Sequence, residues 1–195
     1  MNLVPLVFST GWASGVNAYL VVLVLGLSDR FGDFSQIPDQ LGRTDVLVAA
    51  GVLYALEFVA DKIPYLDSTW DLVSTVLRPT VAAAIGALVA GDQESTSQLG
   101  YAGLSGVTAL ASHTVKAGSR LAINTSPEPF TNIGASLGED VTVLGVVALA
   151  IAHPVIALVV TAVLLVAGLV LLCYAMKRVR RGWRRWKGRP LPSVG

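Results

Sequence analysis

Long apolar runs separated by short polar breaks organise this chain, and each run is too long for a strand. Read against the breaks, they predict six helices, at roughly 4–28, 45–63, 79–91, 100–119, 137–152 and 154–176. The strongest signal is the last. No Asp, Glu, Lys or Arg occurs from Val141 to Met176, and Val155–Met176 alone supplies 22 uncharged residues. A helix of that length crosses about 30 Å of hydrocarbon. The third and fifth runs are short, so they are expected to be tilted, broken or shielded by neighbours. A tight turn is expected at Ala152–Val155, around Pro154.

Three weak internal matches run in the same order through both halves. Ser14-Gly-Val-Asn-Ala18 resembles Ser105-Gly-Val-Thr-Ala109, and Asp45-Val-Leu-Val resembles Asp140-Val-Thr-Val. Arg78-Pro-Thr-Val-Ala resembles His153-Pro-Val-Ile-Ala. They fall on helices 1/4, 2/5 and 3/6, as a 3+3 inverted repeat would require, although residues as common here as Ala, Val and Gly also match by chance.

Composition moves the reading from buried helices to membrane spans. Of 195 residues, 53% are hydrophobic and 14% charged, against about 25% charged in soluble domains. The expected fold is an all-α, polytopic transmembrane bundle of about six spans, with re-entrant or interfacial segments in its polar connections. Residues 1–176 form the single helical domain and 177–195 a basic tail.

Charge then orients the bundle. Residues 177–195 hold eight Lys/Arg and no acid, leaving six basic and thirteen acidic residues elsewhere, a net of 6 − 13 = −7. With the tail in the cytoplasm, six spans put Lys62, Arg78, Lys116 and Arg120 inside as well. Twelve of the fourteen basic residues are then cytoplasmic, as the positive-inside rule requires. A multi-pass protein of the cell membrane with both termini cytoplasmic is therefore expected. Trp183, Arg184, Arg185 and Trp186 are placed for contact with anionic lipid headgroups. Basic residues confined to a stretch after a span do not make a nucleic-acid surface.

The informative chemistry lies in polar residues within apolar runs. Glu57 and Asp61 are four apart and share a helix face. A carboxylate at the bilayer centre costs about 2.5–3.5 kcal/mol on insertion scales, so two imply a cationic partner, a bound ion or a wet cavity. His113, Lys116 and Arg120 share a face of the fourth helix and supply a partner. Three readings stand side by side: a structural salt-bridge network, an ion or proton pathway, and snorkelling to the interface, the last best suited to Lys62 and Arg120.

A polar cytoplasmic vestibule is expected from Asp67, Asn124, Ser126, Glu128, Asn132 and Ser136, continuing into Glu139 and Asp140 at its entrance. Asp67 or Ser68, and separately Ser126 with Pro127 following, are positioned as helix N-caps. Gly11 and Gly15 form a small-residue packing face beside Asn17. Glu57, Asp61, Glu139 and Asp140 are oxygen donors of the kind that suits a hard cation. The chain has no phosphate-binding loop, no Gly-x-Ser-x-Gly and no His-Glu-x-x-His. No enzymatic activity and no cofactor are expected.

Gly15-Val-Asn-Ala-Tyr19, Glu57-Phe-Val-Ala-Asp61-Lys62-Ile-Pro64 and Asn124-Thr-Ser-Pro-Glu-Pro-Phe-Thr-Asn132 occur together, followed by Ser136-Leu-Gly-Glu139-Asp140. In this combination the chain resembles the bacterial membrane family of domain of unknown function 4126, over roughly residues 8–165. The resemblance implies a multi-span membrane protein and brings no activity with it. From the residues, the expected function is a small transporter or channel whose partners are membrane lipids and a small ion or solute. The other expectation is a non-transporting scaffold, whose charges only lock helices together. A homo-oligomer is compatible with either.

Overall fold

The computed structural model describes residues 3–32, 34–63, 65–124 and 129–187, with only the backbone described for Pro129 and 180–187. The described residues form six α-helices. They are α1 (Val4–Phe31), α2 (Thr44–Ala60), α3 (Leu66–Ala90), α4 (Ser95–Ile123), α5 (Pro129–Ala152) and α6 (Pro154–Lys187). A 3₁₀ turn, Asp39–Gly42, lies between α1 and α2. No strand occurs among the described residues. Four helices, α1, α3, α5 and α6, are long and apolar enough to cross a membrane.

Element boundaries differ from the expected ones where polar residues repeat at helical spacing. The third helix begins at Leu66, not at 79, and passes through Pro79. The segment expected as a polar connection carries Asp67, Asp71, Ser74 and Arg78 at i, i+4, i+7 and i+11. All four are buried on one face, so the stripe belongs to a helix packed on its polar side. Neither Asp67 nor Ser68 caps it: Tyr65 is the N-cap, at φ 69°, and makes no side-chain cap bond. The fifth helix likewise starts at Pro129, not 137. Helix α6 continues past Met176 to Lys187. The expected cap at Ser126 lies outside the described residues.

Helix α1 is the axis of the bundle. It packs against every other helix, and most closely against α4 and α5. Nearly all of its residues from Pro5 to Val22 are buried. Helix α6 shows the opposite pattern: its apolar side chains from Val155 to Met176 are largely exposed. A helix that apolar and that exposed matches hydrocarbon, which needs no polar outer face.

The tightest approach is between α1 and α4, and two glycines permit it. A Cβ on Gly15 would sit 2.1 Å from the Ala109 carbonyl oxygen and 1.9 Å from Ser112 Oγ. On Gly11 it would sit 2.8 Å from the Ser105 carbonyl oxygen. Backbone atoms of a packed helix cannot withdraw as a flexible side chain can, so both sites exclude even alanine. Gly145 in α5 has no such neighbour within 4 Å. Gly15→Ala is therefore expected to destabilise the protein by about 1–3 kcal/mol through overpacking. Gly145→Ala is expected to stabilise it by about 0.5–1 kcal/mol through helix propensity. Thermal unfolding in detergent compares the two, and equal responses would contradict the close α1–α4 approach.

Candidate functional site

One residue of α1 departs from helical geometry, and the polar residues gather around it. Asn17 has φ −151° and ψ 95°, inside what is otherwise a continuous helix. The break frees backbone groups that a buried helix must satisfy elsewhere. The Asn17 side-chain oxygen accepts from the Leu20 N–H at 3.0 Å and so caps the second half of α1. On the first half, the Val16 carbonyl accepts from Lys116 Nζ at 3.1 Å. The Gly15 carbonyl accepts from Arg78 Nη1 at 3.4 Å, and the Trp12 carbonyl from Ser112 Oγ at 2.8 Å. Two cations and a hydroxyl thus take carbonyls at the end of a half-helix, where its dipole favours positive charge.

The same cations hold the carboxylates of α2 and α3. Arg78 is fully buried. Its Nη2 donates to Glu57 Oε1 at 2.8 Å, and its Nη1 lies 3.1 Å from Asp71 Oδ1 and 2.7 Å from His113 Nδ1. The Asp71 contact is an ion pair by distance, without the alignment of a hydrogen bond. Because a guanidinium only donates, His113 Nδ1 must be an acceptor, which puts the imidazole proton on Nε2. That nitrogen meets Thr75 Oγ1 at 3.0 Å and the Asp71 carbonyl at 3.1 Å. His113 is therefore a neutral side chain held at both nitrogens.

Lys116 is the centre of the network. Besides Val16, its Nζ donates to Asp61 Oδ2 at 2.7 Å and stands 3.5 Å from Glu57 Oε1 and 3.4 Å from Glu139 Oε2. Arg120 follows one turn on, fully buried rather than snorkelling to an interface. Its fork bonds both oxygens of Glu139, at 3.2 and 2.6 Å. Its Nη1 donates to the backbone carbonyls of Asp61 and Asn132 at 3.0 and 3.3 Å.

An amide relay extends this end of the site. Asn132 donates to Asn124 Oδ1 at 3.1 Å, and Asn124 donates to Asp67 Oδ1 and to Ser68 Oγ, both at 2.9 Å. Ser136 Oγ accepts from Lys62 Nζ at 3.3 Å. The structure thus joins Glu57, Asp61, His113, Lys116, Arg120 and Glu139 in one network, with Asp67, Asn124 and Asn132 at its end. Asp140 turns away from Glu139 and pairs with Asn17 Nδ2 at 3.0 Å and the Tyr54 hydroxyl at 3.4 Å. Ser126 and Glu128 lie outside the described residues, as do the side chains of Trp183, Arg184, Arg185 and Trp186. Among the described residues, no three His, Cys, Asp or Glu side chains are grouped to hold a metal ion.

Arg78 and Asp71 carry the network as much as any residue anticipated from sequence. The signal for them is the period of α3: residues 67, 71, 74 and 78 trace one helical face, opposite residues 113, 116, 120 and 124 of α4.

The network is not charge-balanced. Glu57, Asp61, Asp67, Asp71 and Glu139 face Arg78, Lys116 and Arg120, a formal 3 − 5 = −2 if all are ionised. Glu57 Oε2, Asp61 Oδ1 and Asp67 Oδ2 are buried with no hydrogen-bond partner. A cleft of about 410 Å³ borders the network at Lys116 and Glu139. Trp12, Val16, Lys116, Glu139, Thr142 and Leu165 are among its walls. Its lining comes from α1, α4, α5 and α6. Glu139 is the most accessible carboxylate of the network, its side chain 19% exposed.

Apolar helices around a buried polar core define a helical membrane protein. The model of one protein family, Domain of unknown function (DUF4126), matches residues 4–173, and the chain belongs to that family. Comparisons with curated proteins and with solved structures return no match.

Removing one member of a buried pair strands the other. Arg78→Gln leaves Asp71 without its cation and Glu57 with Lys116 alone, and is expected to cost about 3–5 kcal/mol. Combined with Glu57→Gln, the loss should fall short of the sum of the single changes by about 0.5–3 kcal/mol. Thermal unfolding of the purified variants in detergent closes this cycle, and strict additivity would show that the two side chains do not interact.

Proposed function

We propose that this protein is a small membrane transporter or channel whose ion- or proton-binding site is the charged network around the break in α1. The observation that carries this reading is the break itself. Val16 and Lys116 meet there, and both line the cleft. Discontinuous helices whose freed carbonyls and half-helix ends surround a buried site are a recurring arrangement in secondary transporters. A helix meant only to fill a core has no use for an interruption that two cations and an amide must repair.

Six spans with both termini cytoplasmic complete the reading. The 17 residues of α2 rise ~26 Å, and the charged residues of α4 are buried against partners rather than turned to lipid. A 3+3 inverted repeat rests on the three sequence matches alone: Gly15 approaches Ala109, but its counterpart Gly106 approaches Pro79 and Ala83 of α3 rather than Ala18. The α1–α5 contact does not support it either, since its counterpart between α2 and α4 is slight. The excess of carboxylates favours cations or protons as the species that enters. Glu57 and Asp61 are its ligands, Lys116 and Arg120 their counter-charges, and Glu139 its first contact. The basic tail binds anionic lipid headgroups on the cytoplasmic side.

A second reading, a non-transporting scaffold, is favoured by one observation: Arg78, Lys116 and Arg120 each hold a carboxylate within 2.8 Å. Flux separates the two readings. Proteoliposomes are expected to pass protons or a small cation, and Glu57→Gln should abolish that movement while the purified variant stays folded. Vesicles that remain tight to a broad panel of solutes, with Glu57→Gln changing only the melting temperature, would favour the scaffold.

A further inference from the structure

The polar lining of the cleft is one-sided in its hydrogen-bonding capacity. Ser112, Ser119 and Thr142 all line it, and each hydroxyl has a single proton to give. Ser112 Oγ donates to the Trp12 and Ala109 carbonyls at 2.8 and 3.1 Å. Ser119 Oγ donates to the Lys116 carbonyl, and Thr142 Oγ1 to the Gly138 carbonyl, both at 2.7 Å. What the three hydroxyls present to the cleft is therefore lone pairs. Glu139 adds a carboxylate, an acceptor only, whose two oxygens each take one bond from Arg120 and keep further lone pairs.

Lys116, the one cation in the lining, is already committed. Its three N–H bonds face the Val16 carbonyl, Asp61 and the Glu57–Glu139 pair. The Trp12 indole N–H is the remaining side-chain donor, and an indole ring also attracts cations to its face. The rest of the lining is apolar: Val16, Val115, Ala135, Leu164 and Leu165. A ligand must then bring its own donors and positive charge, together with an apolar body.

We infer that the cleft binds a small organic cation of the primary alkylammonium class. The ammonium is held by Glu139 and the Thr142 hydroxyl oxygen, one turn apart on α5, and the alkyl body lies against the valines and leucines. A volume of about 410 Å³ lies in the range of small-molecule sites. With every carboxylate of the network ionised, the two formal negative charges left over behind Glu139 attract the same class. Gly138 lines the cleft, and a Cβ there would meet no atom within 4 Å.

This assignment rests on the cleft being the site of the proposed transporter, and it is tested by binding so that the two can fail separately. Hexylammonium, hexanol and hexanoate share one body and differ in head group. In detergent solution, hexylammonium is expected to raise the melting temperature saturably at about tenfold lower concentration than either of the others. Gly138→Leu, which fills the cleft without touching the ion pairs, should remove the effect. Thr142→Val should weaken it and serves as the probe if Gly138→Leu does not fold. Equal responses to the three compounds would overturn the assignment, as would full hexylammonium binding in the variant. Cation flux in liposomes without hexylammonium binding would leave transport standing and remove the ligand class. Binding without any flux would do the reverse.

Discussion

The ion pairs that Arg78 of α3 and Lys116 and Arg120 of α4 make with the carboxylates of α2, α3 and α5 are the constraint on which the rest of the structure depends. Three full cationic charges sit inside an apolar bundle, where each would be costly alone. They are tolerated because each meets acids and backbone carbonyls on several sides at once. Lys116 alone approaches α1, α2 and α5. Such a centre holds helices at fixed depth and rotation, which the featureless apolar contacts of α6 cannot do. It is weak evidence for stability and better evidence for specificity, since well-packed apolar residues often replace buried pairs without loss.

The break in α1 and the ion network explain each other. Without Asn17 in an extended conformation, the carbonyls of Gly15 and Val16 would be turned into an intact helix and unavailable to Arg78 and Lys116. Without those cations, freed carbonyls in a buried helix would go unpaired. Gly11 and Gly15 let α4 come close enough for Lys116 to reach. Small residues, a helix interruption and buried charge thus form one device, and the cleft borders it at Lys116 and Glu139.

Much of this was legible in the sequence, and the reasons differ by element. The long uncharged run before Met176 identifies α6 unaided, because hydrocarbon selects strongly for such runs. The spacing of His113, Lys116 and Arg120, set against Glu57 and Asp61, identifies the network, because buried charges need partners and few were available. Helix α3 was misjudged: Asp67, Asp71 and Arg78 look like loop residues by polarity, and only their helical period shows a face. Asn17 could be singled out as an amide in an apolar helix, but not as the site of a break. That depends on cations from two other helices arriving at its carbonyls. Asp140 was grouped with Glu139 by adjacency, yet neighbours on a helix point about 100° apart, and they entered different contacts.

Whether Lys116 is paired inside the bundle in a lipid bilayer is the most direct test of this account. Solid-state NMR on protein reconstituted in bilayers, labelled at lysine Nζ and aspartate Cγ, reads the contact without altering a residue. A strong dipolar coupling between Lys116 Nζ and Asp61 Cγ is expected, with the ammonium protected from exchange with water. An uncoupled Lys116 ammonium exchanging as freely as those of the basic tail would contradict the account.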